Sequence, residues 1–223
     1  YDTEREYIEA AIEMGIKEFG FSDHVPCPFR DGYVSAIRMT MEQAPEYVAT
    51  IRNLAAEYKN DIKIYVGFEA EYIPEYYEEQ MRLFRNLGCD YMIMGQHFLQ
   101  SEQNGPYTGT PTDDESRIRD YVDAVIEGMK TGSYLYLAHP DLFRFDGDEA
   151  VFDREYRRLC REVKKRNIPL EINFLGLMEE RWYPNERFWK IAGEEGNTAV
   201  FGCDAHTPKA VWNPETEQKA LLL

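Results

Sequence analysis

Apolar positions along this chain alternate between helical and strand spacing. Thr3-x-x-Glu6 forms a capping box, and Ile8, Ala11, Ile12 and Ile16 follow at helical intervals. Phe19 to Ser22 then reads as a short strand ending at Asp23-His24. A loop with Pro, Gly and aromatics runs from Cys27 to Met39, and a helix is predicted from Pro45 to Tyr58. Ile62-Lys63-Ile64-Tyr65-Val66 is a strand ending at Gly67-Phe68-Glu69. Pro74 suits the first turn of a helix running to about Asn86. Tyr91 to Met94 forms the next strand, ending at Gly95-Gln96-His97. After a polar loop, Thr112-x-x-Glu115 is a second capping box, predicted to open a helix to about Lys130. Tyr134 to Ala138 is a strand running into His139-Pro140-Asp141. Ala150 to Arg166 is helical, Pro169 to Asn173 is a strand, and Pro184 is placed at the first position of another helix. Thr198 to Gly202 is the last strand, ending at Asp204-Ala205-His206.

Six predicted strands separated by helical sequence imply βαβ units and a parallel sheet. Closure into a barrel is the favoured architecture, with an open doubly wound sheet as the alternative. Neither G-x-G-x-x-G nor G-x-x-x-x-G-K-[ST] occurs, which removes the main support for a nucleotide-binding reading. With no repeat or linker in 223 residues, a single domain over residues 1–223 is expected.

Composition narrows the partners. The chain is 43% hydrophobic and 30% charged, as a globular protein is, and has no apolar run near the roughly 20 residues of a membrane span. Its net charge of -16 repels nucleic acids and anionic membranes, so neither is expected as a partner. An anionic substrate then needs local positive charge, which bound metal ions supply. Solubility alone is the competing explanation of the acidity. Cys27, Cys89, Cys160 and Cys203 are widely spaced with no C-x-x-C pair, which points to a reducing cytoplasm.

The chemistry gathers at predicted strand ends. The only four histidines, His24, His97, His139 and His206, each fall just past the last apolar residue of a strand. If such windows cover roughly a sixth of the chain, four independent histidines all land there about once in a thousand draws. Glu69 and Asp204 share that location. Imidazole with carboxylate suits Zn²⁺, Mn²⁺ or Fe²⁺. Asp204-x-His206 in an extended segment would put both side chains on one face. Taken singly, each residue also has an ordinary reading: His24 and His139 as loop residues, Asp204 as a helix cap, and either Glu69 or Glu71 facing solvent. The joint pattern overrides these.

At these residues the sequence resembles the polymerase and histidinol phosphatase (PHP) family, and within it the histidinol-phosphatases. The matching segments are Gly20-Phe21-Ser22-Asp23-His24, Gly67-Phe68-Glu69-Ala70-Glu71-Tyr72, Asp90 to Leu99, Ala138-His139-Pro140-Asp141-Leu142, Leu170-Glu171-Ile172-Asn173 and Gly202-Cys203-Asp204-Ala205-His206. The resemblance implies a distorted (β/α)7 barrel with two or three divalent ions (Zn, Mn or Fe) at the C-terminal ends of its strands. It implies that Glu69 bridges two ions, one also held by Asp204 and the other by His97 and His139, while a third takes His24 and His206. Family members open with His-x-His on a first strand. This sequence begins at what reads as the first helix, so the expectation is that this strand is missing from it, and that its end is cut as well.

The reaction implied is hydrolysis of a phosphomonoester, with ions that lower the pKa of water and neutralise phosphoryl oxygens, and with no protein nucleophile. His206 and Asp204 are the catalytic candidates, His206 as a proton donor to the leaving group. Arg144, Arg181 and Asn173 are the candidate substrate contacts, each with a competing structural reading. The resemblance implies L-histidinol phosphate as substrate, in histidine biosynthesis, with Glu71 and Asp141 facing its cationic groups. A nucleotide or other small phosphate is the alternative substrate. A non-catalytic metal-binding or interaction domain is the alternative of another class.

Overall fold

A computed structural model of the chain describes residues 2–30 and 32–223. Among them, helices and strands alternate: α1 (Glu4–Glu13), β1 (Glu18–His24), α2 (Ala44–Glu57), β2 (Lys63–Ala70), α3 (Pro74–Leu87) and β3 (Tyr91–Met94). Then follow α4 (Glu115–Lys130), α5 (Glu149–Lys164), β4 (Leu170–Asn173), α6 (Phe174–Met178), α7 (Glu186–Glu195), β5 (Ala199–Gly202) and α8 (Pro214–Ala220). The chain divides into two compact units. The first comprises the chain up to Ala70, Pro74–Ile93 and Cys203–Asn213. The second comprises Glu71–Ile73, Met94–Gly202 and Pro214–Leu223. No helix among the described residues is long and apolar enough to cross a membrane.

In the first unit β1 and β2 run parallel, in register from Glu18 opposite Lys63 to His24 opposite Glu69. β3 lies beside β2. Glycine makes this packing fit. A Cβ on Gly20 would sit 2.9 Å from Cζ of Tyr91, and one on Gly67 would fall on the Tyr91 carbonyl oxygen. With that space open, the Tyr91 hydroxyl donates to the Phe21 carbonyl at 2.9 Å. Asp90, just before β3, accepts from the Val66 backbone N–H and from both terminal nitrogens of Arg52, each at 2.8 Å. α2 buries Ala44, Val48, Ile51 and Leu54, spaced by three or four residues along one face. Its Pro45 sits in the first turn, where the missing N–H costs nothing.

In the second unit β4 pairs in parallel with β5, from Leu170 opposite Ala199 to Asn173 opposite Gly202. β4 is buried at every residue. The helices contribute an aromatic core in which Tyr121 of α4 lies 5.2 Å from Phe143, and Tyr156 of α5 lies 5.0 Å from Phe188 of α7, between ring centres. Fully burying one such large apolar side chain stabilises the fold by about 1.5–3 kcal/mol.

Four local features differ from the sequence reading. Tyr134–Ala138 forms no named strand, although Leu137 makes parallel bridges to Met94 and Leu170. The ladder stops because the chain turns at His139, where φ is +27°, and Pro140 has no N–H to continue it. α4 is capped by Asp114, which accepts from the Ser116 N–H at 2.8 Å, rather than by Thr112. α7 is capped by Asn185, one residue after Pro184, through the Arg187 and Phe188 N–H groups. The short helix α6 was not expected. It forms because Asn173 ends β4 and its Oδ1 accepts from the Gly176 N–H at 3.0 Å. The parallel pairing is as expected for an α/β fold, and the pairings among the described residues do not close into a ring.

Candidate functional site

In the first unit, the parallel register sets the last residue of β1 beside the next-to-last of β2. His24 Nδ1 lies 3.6 Å from Glu69 Oε2, and the Glu69 carboxylate is largely buried. One residue on, the Val25 N–H donates to the Glu69 carbonyl at 2.7 Å, so the backbone frame under both side chains is fixed. Asp23 accepts from the His24 N–H at 2.7 Å. Burial pushes the Asp23 carboxyl above the usual range; the His24 N–H and imidazole and, less strongly, His206 oppose this, while Glu69 adds to it.

Asp204 and His206 also belong to this unit. Their side chains meet, but not through an extended segment. Asp204 has φ +45°, and this left-handed turn brings His206 Nδ1 to 2.9 Å from the Asp204 carbonyl oxygen and 3.7 Å from its carboxylate. His206 is exposed. The cap of the following 3₁₀ turn is Thr207, so the reading of Asp204 as a cap does not hold.

In the second unit, His97 Nδ1 lies 3.3 Å from Oε1 of Glu71. The alternation of Glu69 and Glu71 suggested that one of them faces water; instead both are buried, each against an imidazole. Each pairing sets a buried negative charge beside the ring. The ring of His97 lies 4.9 Å from that of His139. Gln96, which sequence reasoning passed over, holds this arrangement together. Fully buried, it accepts from the Tyr72 N–H at 3.0 Å and donates to the Phe98 carbonyl at 2.7 Å, tying the chain on either side of His97 to the residue after Glu71. The only sequence signal was an amide next to a candidate ligand in a run that is otherwise apolar or glycine.

The turn His139-Pro140-Asp141-Leu142 is anchored at every residue. The His139 N–H donates to Glu171 Oε2 at 2.9 Å, and the His139 carbonyl accepts from Leu142 at 3.0 Å. The Tyr121 hydroxyl donates to the Pro140 carbonyl at 2.9 Å. The Asp141 carboxylate accepts from the Asn185 N–H, and the Trp182 indole donates to the Leu142 carbonyl at 2.8 Å. Positive φ at a residue with a Cβ costs about 1–3 kcal/mol, so this conformation of His139 persists only because these bonds determine it. Burial pushes the Asp141 carboxyl up to about 7, against the pull of the Asn185 N–H. Asp141 and Glu71, read from sequence as partners for a cationic substrate, are thus engaged with the protein itself.

Arg144 lies over the Trp182 ring at 5.6 Å and 3.7 Å from Asp146. Arg181 donates to Glu179 at 2.8 Å and to the Tyr183 hydroxyl at 2.7 Å, and the Tyr183 ring lies 6.0 Å from the His139 ring. Asn173 donates to Glu171 at 3.0 Å while capping α6, in line with its structural reading. Imidazole nitrogens backed by buried carboxylates form a donor set that fits divalent Zn, Mn or Fe.

The PHP domain profile matches residues 2–174, most of the chain, and the chain belongs to the PHP domain family. It is 28% identical over 218 residues to a protein of Deinococcus radiodurans named a probable histidinol-phosphatase, covering 94% of this chain and 82% of that one. Among solved structures, a candidate histidinol phosphatase from Listeria monocytogenes superposes with a TM-score of 0.77 at 21% identity, covering 97% of this chain and 93% of that one. The histidinol phosphate phosphatase of Lactococcus lactis, complexed with zinc, L-histidinol and phosphate, gives 0.71 at 19% identity, covering 99% and 87%. At these identities the two structures establish a common fold.

Proposed function

We propose that this protein is a metal-dependent phosphatase that hydrolyses L-histidinol phosphate to L-histidinol and phosphate. The observation that carries the reading is the pairing of His24 with Glu69 at the C-terminal ends of two parallel strands, where β/α folds place their chemistry. The second pairing, His97 with Glu71, and the adjacent ring of His139 support it. Family membership and relatives named for this reaction across most of the chain's length favour this substrate. Widely spaced cysteines with no C-x-x-C pair support a reducing cytoplasm as its location, and the reaction would be a step of histidine biosynthesis.

His24, Glu69, His97, His139, Asp204 and His206 are the proposed ligands of two or three divalent ions. Such ions supply an acidic water and neutralise charge on the phosphoryl oxygens. The chain's own residues do the rest. Glu71 orients His97. Arg144, whose guanidinium lies over the Trp182 ring, and Arg181, which bonds Glu179 and Tyr183, are the proposed phosphate contacts. His206, exposed and adjustable, is the proposed proton donor to the leaving alcohol.

The test is phosphate release from histidinol phosphate, a nucleoside monophosphate and an aryl phosphate, with and without chelator. Preference for histidinol phosphate, lost on chelation and restored by Zn²⁺ or Mn²⁺, is expected. Turnover that ignores the chelator overturns the metal mechanism. Preference for the nucleotide overturns the substrate. Full metal content without turnover on any substrate would identify a binding domain.

A further inference from the structure

Glu171 lies in the middle of β4, among Leu170, Ile172 and Asn173, all of them buried. It is 3% exposed, and its backbone already takes part in the ladder by donating to the Leu137 carbonyl at 2.9 Å. A carboxylate in such a place is costly unless its oxygens are occupied. One oxygen, Oε2, accepts two bonds: the His139 N–H at 2.9 Å and the Asn173 side-chain amide at 3.0 Å. The other points at Gly202, the register partner of Asn173 on β5. A Cβ on Gly202 would overlap that oxygen, so the glycine is the space in which the carboxylate lies. The bond to His139 falls on the residue whose φ of +27° needs outside support, at the point where the chain leaves the sheet.

We propose that Glu171 is a positioning residue for the metal centre. It fixes the strained backbone of His139, and Gly202 in turn fixes Glu171, so that the imidazole is presented in one orientation. This inference rests on the metal-dependent reading above. It assigns Glu171 no contact with ion or substrate. A hydrogen-bond acceptor at the Oε2 position is what the role requires. Glutamine meets that need, since its carbonyl oxygen accepts both bonds while its amide takes the side facing Gly202.

Binding of Co²⁺ alone to the metal-free full chain tests this, read by the visible absorption of the bound ion and by competition with a chelator. Glu171→Ala is expected to weaken Co²⁺ binding about 10- to 100-fold and to shift the absorption bands. Gly202→Ala, which keeps the carboxylate but displaces it, is expected to do the same in a milder form. Glu171→Gln is expected to retain the wild-type spectrum with affinity within about threefold, because the acceptor is preserved. A merely structural role would lower the melting temperature of all three metal-free variants and leave the spectrum of the bound ion alone. Unchanged spectrum and affinity in Glu171→Ala and Gly202→Ala would overturn the proposal, as would a loss in Glu171→Gln equal to that in Glu171→Ala. No Co²⁺ binding by the wild-type chain would overturn the metal reading itself; binding by wild type with indifferent variants overturns only the role of Glu171.

Discussion

The Glu71 carboxylate lies 3.3 Å from Nδ1 of His97 and is 1% exposed, so it faces that ring rather than solvent. Replacing it with an isosteric amide removes the negative charge held beside the ring of this proposed ligand. Glu71→Gln is therefore expected to lower Zn²⁺ affinity about 10- to 100-fold while the metal-free protein stays folded. Chelator competition and circular dichroism would measure the two effects. Unaltered affinity would mean that His97 is not a ligand, or that its orientation does not depend on Glu71.

The glycines separate into those that make room for a neighbour and those that do not. A Cβ on Gly67 would fall on the Tyr91 carbonyl oxygen and within 2.9 Å of its ring. These atoms belong to a paired strand and to a half-buried ring held by its bond to the Phe21 carbonyl, neither of which can yield freely. Gly67→Ala is expected to destabilise by about 1–3 kcal/mol. Gly193, inside α7, has nothing within 4 Å of such a Cβ, and Gly193→Ala is expected to stabilise by about 0.5–1 kcal/mol through helix propensity alone. Urea unfolding of both variants beside wild type checks the pair; equal effects would show that close approach to Tyr91 is not what Gly67 provides.

The same distinction explains what the sequence made visible. His24 and His97 were legible because strand ends carry a local signature, and β1 and β3 stop at or just before them. Gln96 and the backbone role of Glu171 were not, since each acts on residues far along the chain, Gln96 on Tyr72 and Glu171 on His139. A polar residue in a run that must be buried was the only trace of either. Caps shifted by a few residues for a related reason. Asp114 and Asn185 compete with Thr112 and Pro184 for the same helix starts, and tertiary bonds such as that from the Asn185 N–H to Asp141 decide between them.

Alkaline pH should act on the second unit through groups with no room for charge. Burial holds the hydroxyls of Tyr121 and Tyr156 well above their ordinary value of 10.0 and pushes the Cys160 thiol from 9.0 up to about 12. All three carry a folded pKa raised above the unfolded one. Their contribution is thus complete below about pH 9 and is lost as pH rises beyond it, because the unfolded chain releases these protons first. Denaturant midpoints are expected to fall as pH rises from about 9 to about 11, with the tyrosinate absorbance of Tyr121 and Tyr156 appearing only on unfolding. Tyr121→Phe should flatten that decline, while lowering stability near neutrality by about 1 kcal/mol through the lost bond to Pro140. A midpoint indifferent to pH would show that these groups ionise in place.

Arg144 and Arg181 differ in what lies behind them, and the two should fail differently. Arg144 is supported by the Trp182 face and by Asp146. In its proposed role, its loss removes a phosphate contact made alike in substrate and transition state. Arg144→Ala is therefore expected to raise KM for histidinol phosphate about tenfold with kcat little changed. Arg181 donates to the Tyr183 hydroxyl, and the Tyr183 ring packs against the His139 ring. Its loss also loosens the wall beside a proposed ligand, so Arg181→Ala should lower kcat as well as raise KM. Tyr183→Phe, which keeps the ring and removes the hydroxyl, should reproduce part of the kcat loss with KM near wild type. Steady-state kinetics on the three variants separate the roles. A pure KM effect in Arg181→Ala, or wild-type kcat in Tyr183→Phe, would break the link drawn between Arg181 and His139 and leave Arg181 as a phosphate contact only.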